Sequence, residues 1–368
     1  MTAAGAALDD LETPALLIDL DALEANLAEM AAVAARAGVR LRPHTKTHKS
    51  PEIARMQVQA GAAGITCAKL GEAEVMADAG LQDLLIAFPL VGEAKLRRLG
   101  ELLERARVRV SLDSVEVAEG LGRVGTRLGR DVEVLVEVDT GLHRLGRPPG
   151  PPTAELVGRV ARVPGVEVVG LLTHAGHAYR ARDPGELRHL AEREVLDLVE
   201  TAALCRRDGV ELRELSVGST PTARIGAFVD GVTEIRPGTY ALNDATMVRL
   251  GVATEDRVAV RVLATVVARP TGGRFVVDAG SKCFTTDGMG AGPGWLPVAG
   301  RPGLQMDFLS EEHGVGHRSD ADDLRIGDRL QLLPSHACTC VNLFDLAYGV
   351  RGDRVERELP IAGRGRVR

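Results

Sequence analysis

From Thr13 to about Asn243, short apolar runs rich in Val, Ile and Leu alternate with longer stretches of helical period, and no other feature constrains the fold as much. This is the signature of repeated strand–helix units. The strands read as Ala15–Asp19, Val39–Arg42, Gly64–Cys67, Asp83–Phe88, Val108–Leu112, Val132–Asp139, Val166–Thr173, Glu214–Val217 and Glu234–Arg236. Helices fill the intervals. Leu20–Ala37 is one, capped by Asp19 or Asp21, filled with Ala and Leu, and stopped by Gly38. About eight such units favour a closed (β/α)8 TIM-type barrel over an open doubly wound sheet. The pattern changes after Asp244: Val258–Ala268, Arg274–Asp278 and Leu330–Leu333 read as strands joined by Gly- and Pro-rich turns. The expected organisation is an α/β barrel over 13–245 and a smaller, mostly β domain over 246–368 together with 1–12. Gly288–Gly303 reads as loop and Gly363–Arg368 as a frayed tail.

With 368 residues, 45% of them hydrophobic, the chain can bury two cores. A formal net charge of −6 and no long basic run argue against a nucleic-acid partner. Five cysteines without framework spacing read as reduced thiols, and no apolar run reaches bilayer length. The N-terminus, MTAAGAALDDLETP, lacks the basic and apolar regions of a secretion signal. The expectation is a soluble cytoplasmic protein acting on small molecules.

The polar motifs cluster just after candidate strands, where barrel enzymes place their chemistry. Lys46 lies in Arg42-Pro43-His44-Thr45-Lys46-Thr47-His48-Lys49. A lysine on a rigid proline turn is placed to form an imine with a carbonyl compound, and His44, His48 and Lys49 as cations would keep its amine neutral. Taken alone, the segment reads more plainly as a solvated basic loop. Val217-Gly218-Ser219-Thr220-Pro221 offers donors for a phosphate, or is an ordinary turn. Thr173-His174-Ala175-Gly176-His177-Ala178-Tyr179 puts His174 where it can lie against a planar ring, with His177 and Tyr179 reaching toward substrate. Arg236, in Glu234-Ile235-Arg236-Pro237-Gly238-Thr239-Tyr240, needs an acceptor: a heteroaromatic nitrogen or a carboxylate. Arg144 holds an anion or sits in a salt bridge. His336 and Cys338 are two ligands of the kind zinc takes, or a buried thiol beside a hydrogen-bonded imidazole.

Together with Asp278-Ala279-Gly280-Ser281-Lys282 and Glu311-Glu312-His313-Gly314, these segments resemble, in this order, the fold-type III pyridoxal-phosphate enzymes of the alanine-racemase-like superfamily. The metal-dependent branch with D-threonine aldolases and D-serine dehydratases is the nearest match. The resemblance implies that Lys46 anchors pyridoxal 5'-phosphate, that Gly218, Ser219 and Thr220 hold its phosphate, and that His174 lies near the ring. It pairs Arg236 with the pyridine nitrogen, adds Arg144, Gly238 and Tyr240 to the cofactor site, and assigns a divalent metal (zinc, or manganese or magnesium) to His336 and Cys338. It further implies a homodimer. The implied reaction is retro-aldol cleavage of a D-3-hydroxy amino acid to glycine and an aldehyde, with His177 as base and Tyr179 or His313 as rivals. The alternatives are a D-serine-dehydratase-type elimination and a non-catalytic pyridoxal-phosphate protein. Cys338 is the dehydratase-like feature, and Val341-Asn342-Leu343-Phe344-Asp345 looks aldolase-like.

Overall fold

The computed structural model describes residues 3–288, 296–318 and 323–368. The first strand, β1 (Ala15–Asp19), runs into the helix Leu20–Ala37. Asp19 Oδ1 accepts from the Ala22 N–H at 3.0 Å, so of the two candidate caps Asp19 serves. Gly38 ends the helix at φ +69°, a left-handed conformation that glycine adopts without strain.

Eight strands follow in one parallel sheet: β2 (Arg40–Leu41), β3 (Ile65–Cys67), β4 (Asp83–Ile86), β5 (Arg107–Leu112), β6 (Val132–Val138), β7 (Val166–Thr173), β8 (Glu214–Val217) and β9 (Glu234–Ile235). Their order is β2-β9-β8-β7-β6-β5-β4-β3. The two ends of that order meet, because His44 bridges Thr66, Thr66 N–H donates to Pro43 O at 2.7 Å, and Ala63 N–H donates to Leu41 O at 2.8 Å. The sheet is therefore closed into the expected barrel, with helices following the strands. Leu85, Leu135, Val169 and Leu172 pack together in one fully buried cluster.

Charge fills part of the same unit. Arg42, 1% exposed, donates to Glu234 at 2.8 Å and to Asp83 at 2.6 Å; Arg109, also buried, reaches Asp83 at 2.9 Å and lies 3.5 Å from both Glu133 and Glu214. Each buried cation thus has carboxylate partners, the condition under which a charge tolerates burial.

The remaining strands are β10 (Val260–Ala268), β11 (Arg274–Val277), β12 (Leu304–Leu309), β13 (Gly314–Arg318), β14 (Arg329–Leu332), β15 (Leu346–Arg351) and β16 (Arg354–Pro360). They form a second, largely antiparallel sheet in the order β12-β13-β11-β10-β1-β15-β16, with β14 on β10. β1 is thus no barrel strand. It pairs antiparallel with β10 (Ile18 opposite Val260) and parallel with β15 (Leu17 opposite Tyr348). An apolar run buried on both faces fits either sheet, and the run itself does not say which. Contacts divide the chain into one unit of Met1–Ala28, Thr47–Glu52 and Thr239–Arg364, and another of Glu29–Lys46, Ile53–Gly238 and Gly365–Arg368.

One local expectation changes. The tail is fixed rather than frayed: Gly363 N–H donates to Lys49 O and Gly71 N–H to Arg368 O, each at 2.9 Å. The Gly288–Gly303 stretch falls partly outside the described residues, and within its described part Val298 bridges Leu332. No described helix is long and apolar enough to cross a membrane.

Candidate active site

Lys46 sits in a single 3-10 turn, Thr45–Thr47, which Arg42, Pro43 and His44 separate from β2. The turn is pinned from several sides. His44 N–H donates to Pro237 O at 3.0 Å, Lys46 N–H to His44 Nδ1 at 3.3 Å, and the Thr45 hydroxyl to Glu72 Oε1 at 2.6 Å. Two of the residues expected to act as cations on Lys46 do not. Burial and the charges of Lys46, His174, Arg236 and Arg144 hold the His44 imidazole well below its ordinary pKa, so it is a neutral acceptor. His48 is fully buried and accepts from the Ser50 N–H at 3.1 Å.

His174 follows β7 and faces the same group. Its Nδ1 lies 2.5 Å from Gly218 O; a carbonyl only accepts, so Nδ1 carries the proton and Nε2 is left with a lone pair. Burial, then Lys46, hold this imidazole neutral as well, against the pull of the Gly218 carbonyl. Arg236, 6% exposed, donates to Ser216 Oγ and to Thr173 O, each at 2.6 Å, and neither partner is a carboxylate. Arg144 is half exposed with Glu137 Oε1 4.0 Å away. The positive charge gathered beyond the ends of β2, β6 and β9 is therefore carried by Lys46, Arg144 and Arg236, with two neutral imidazoles among them.

Gly218 follows β8 and is held tightly. A Cβ added there would lie 2.9 Å from both Arg236 Cβ and Arg236 O, so only glycine fits. Its N–H donates to Glu194 Oε1 at 3.1 Å, and the hydroxyls of Ser219 and Thr222 are 2.9 Å apart. Thr220 opens a short buried helix, Thr220–Gly226. Glu194 was not legible as a site residue. Its only signal is a carboxylate in phase with Ala191, Val195 and Leu198 on the apolar face of the helix Pro184–Arg207.

His177 lies in a different pocket of contacts. Its ring packs over Gly141, where a Cβ would be 3.3 Å from Cε1, and burial lowers its pKa against the opposing charge of Asp139. Among the described residues its buried Nδ1 has no hydrogen-bond partner. Tyr179 is half-buried in the same 3-10 turn, Gly176–Arg180.

Gly238, 3 residues after Ile235, is buried, as is Tyr240 in the turn Thr239–Ala241. His313 is exposed between β12 and β13. His336 precedes the short helix Ala337–Val341, whose entry is fixed by Asp244 accepting from Ala337 N–H at 2.9 Å. His336 Nδ1 is 2.7 Å from Asp287 Oδ2, a partner the sequence did not single out. Burial works against its protonation, yet Cys338, Asp244 and Asp287 outweigh burial and push its pKa to about 10. Cys338 Sγ lies 3.2 Å from the hydroxyl of Thr47, the residue after Lys46 in the chain. Among the described residues no group of three or more His, Cys, Asp and Glu is placed to hold a metal, so His336 and Cys338 stand as a pair.

Residues 18–246 match the family described as "Alanine racemase, N-terminal domain", and residues 259–350 match "Putative serine dehydratase domain". The chain is 38% identical to the D-threo-3-hydroxyaspartate dehydratase of Delftia sp., over 89% of this chain and 91% of that one. It is 35% identical to the D-threonine aldolase of Arthrobacter sp., over 98% and 95%. The crystal structure of the D-threonine aldolase from Filomicrobium marinum superposes with a TM-score of 0.93 at 36% identity, covering 99% of each chain. Two further structures of a D-threo-3-hydroxyaspartate dehydratase, each 35% identical with TM-scores of 0.89 and 0.90, cover 96% and 97% of this chain and 98% and 96% of theirs. One carries a cysteine-to-alanine change and is metal-free; the other carries a histidine-to-alanine change two positions earlier.

Proposed function

Because the chain belongs to the alanine-racemase-like family of fold-type III pyridoxal-phosphate enzymes, we propose that it is a metal-dependent lyase that removes the β-hydroxyl from D-3-hydroxy amino acids. The observation that carries the choice of elimination is the His336–Cys338 pair, spaced as are the histidine and cysteine changed in the dehydratase structures. This moves the reading away from the aldol cleavage expected from sequence.

The donor sets fit both groups. Three cations, a tightly held glycine loop and two neutral imidazoles suit a phosphorylated, electron-poor ring, and an imidazole beside a thiol suits a borderline-soft metal such as zinc. Pyridoxal phosphate, when bound, supplies an electron sink for charge left on the amino acid Cα. A divalent ion held by His336 and Cys338 would supply Lewis acidity toward a β-hydroxyl, with coordination positions left open by a two-ligand site.

The remaining work falls to the chain. Lys46 anchors the cofactor and takes the Cα proton at Nζ. The His44 ring, as neutral acceptor, fixes the turn that aims Lys46. His174 would lie near the ring of the cofactor with its Nε2 lone pair free for it, since Nδ1–H is spent on Gly218. Gly218, Ser219 and Thr220 shape the phosphate loop, with Arg144, Gly238 and Tyr240 completing the cofactor site. Arg236 would pair with the ring nitrogen, and its hydrogen bonds to Ser216 and Thr173 hold its guanidinium in place. A homodimer, which the family resemblance implies, and a cytoplasmic location are part of the same proposal.

Aldol cleavage is the second reading, supported by the aldolase relatives and by His177, a neutral imidazole able to accept the hydroxyl proton. Tyr179 and His313 are the other bases within that reading. The test is product analysis: D-serine, D-threonine and D-threo-3-hydroxyaspartate with zinc or manganese, assayed for keto acid and ammonia against glycine and aldehyde. Elimination predicts the first pair. Glycine and aldehyde as the dominant products would overturn it.

A further inference from the structure

Glu194 is 1% exposed, and among the described residues its hydrogen-bond partners are two backbone amides and a hydroxyl rather than a cationic side chain. Oε1 accepts from the Ala175 N–H and from the Gly218 N–H, each at 3.1 Å, and Oε2 accepts from the Thr222 hydroxyl at 2.9 Å. Ala175 is the residue after His174. Gly218 opens the loop assigned to the cofactor phosphate. One carboxylate on the helix Pro184–Arg207 therefore ties the turn after β7 to the loop after β8.

The Gly218 peptide is gripped from both sides: Glu194 takes its N–H, and His174 Nδ1–H fills its carbonyl at 2.5 Å. The N–H of Gly218 is thus committed inside the protein and cannot also serve an anion. Thr222 donates its hydroxyl proton to Glu194 Oε2, and its oxygen lies 2.9 Å from Ser219 Oγ, so the same carboxylate also holds the start of the helix that follows the loop.

We propose that Glu194 is a positioning residue for cofactor binding, holding the His174 turn and the Gly218–Thr220 loop in one fixed relation through its acceptor oxygens. The inference rests on the assignment of that loop to the phosphate. It assigns Gly218 a part in the frame of the loop rather than a donor's part toward the anion.

Glu194→Gln keeps a carbonyl oxygen for both amides and lets its NH2 donate to Thr222, which can turn its proton toward Ser219. Glu194→Leu orphans both amides. Thr222→Val removes only the hydrogen bond that ties Glu194 Oε2 to Thr222. Each apoprotein is titrated with pyridoxal phosphate, the dissociation constant read from the Lys46-dependent absorbance, and the apo Tm measured alongside. Orphaning two buried donors is expected to weaken binding by about 30-fold or more, and losing the Thr222 tie by about fivefold, while Glu194→Gln stays within about threefold of wild type. A folded Glu194→Leu protein that binds as wild type does overturns the proposal. If that variant does not fold, Thr222→Val decides: wild-type affinity there overturns it, and the fivefold loss with an unchanged apo Tm supports it. A wild type that takes up no cofactor sinks the phosphate-loop assignment itself, and this inference with it.

Discussion

Glu234→Gln probes whether the buried charges of the barrel hold both its fold and Arg236. Glu234 is fully buried; it accepts from Arg42 Nε at 2.8 Å and from Ser216 Oγ at 2.7 Å, and Ser216 in turn accepts from Arg236 at 2.6 Å. Removing one charge from a buried pair costs about 3–5 kcal/mol, because the partner's charge is left uncompensated. Two features reduce that. Glutamine keeps an acceptor for Ser216, and Arg42 retains Asp83 at 2.6 Å, whose side chain is 30% exposed. The expected loss is about 2–3 kcal/mol, or a fall in Tm of roughly 4–12 °C for a unit of this size. Burial alone would raise the Glu234 pKa, but Arg42, Ser216 and Arg40 outweigh burial and hold it below the ordinary glutamate value. A depressed carboxyl stabilises the fold above its unfolded pKa of about 4.3, and that contribution is lost as pH falls through the folded value. Thermal unfolding from pH 7 down to pH 3 should therefore show the gap between wild type and variant at its widest near neutrality and closing in acid. A gap that stays constant with pH, or a variant Tm within about 2 °C of wild type, would refute the assignment of stability to this pair.

Gly218→Ala forces a Cβ to within 2.9 Å of Arg236 Cβ and O, so the loop must shift and pyridoxal-phosphate affinity should fall by about tenfold or more. Gly158, in the helix Pro151–Val160, has nothing within 4 Å of its Cβ position, so Gly158→Ala should leave affinity unchanged and raise stability by about 0.5–1 kcal/mol in urea titration. Cys338→Ala should lower bound metal, measured by atomic absorption after dialysis, while the Lys46-dependent absorbance persists; full metal content in the variant would remove Cys338 from the metal site.

Much of the barrel was readable because a strand buried on both faces leaves an apolar run, and the polar residues that follow it break that run where loops begin. Lys46, His174, Gly218 and Arg236 stood out for that reason. The hairpin β12–β13 left no comparable trace. Its Asp307, Glu311, Glu312 and His313 face solvent, and a strand with one wet face reads as loop.

The sequence by itself determined the eight strands of the barrel, which positions need glycine, and which side chains are candidates for chemistry, since backbone preference, apolar period and residue type are local properties. Only the tertiary structure decided that β1 joins β10 and β15, that His44 is a neutral acceptor rather than a cation, and that Glu194 grips two loops at once. Each of these depends on which distant groups share a desolvated space, and neither a pairing partner nor a local dielectric is written in the order of residues.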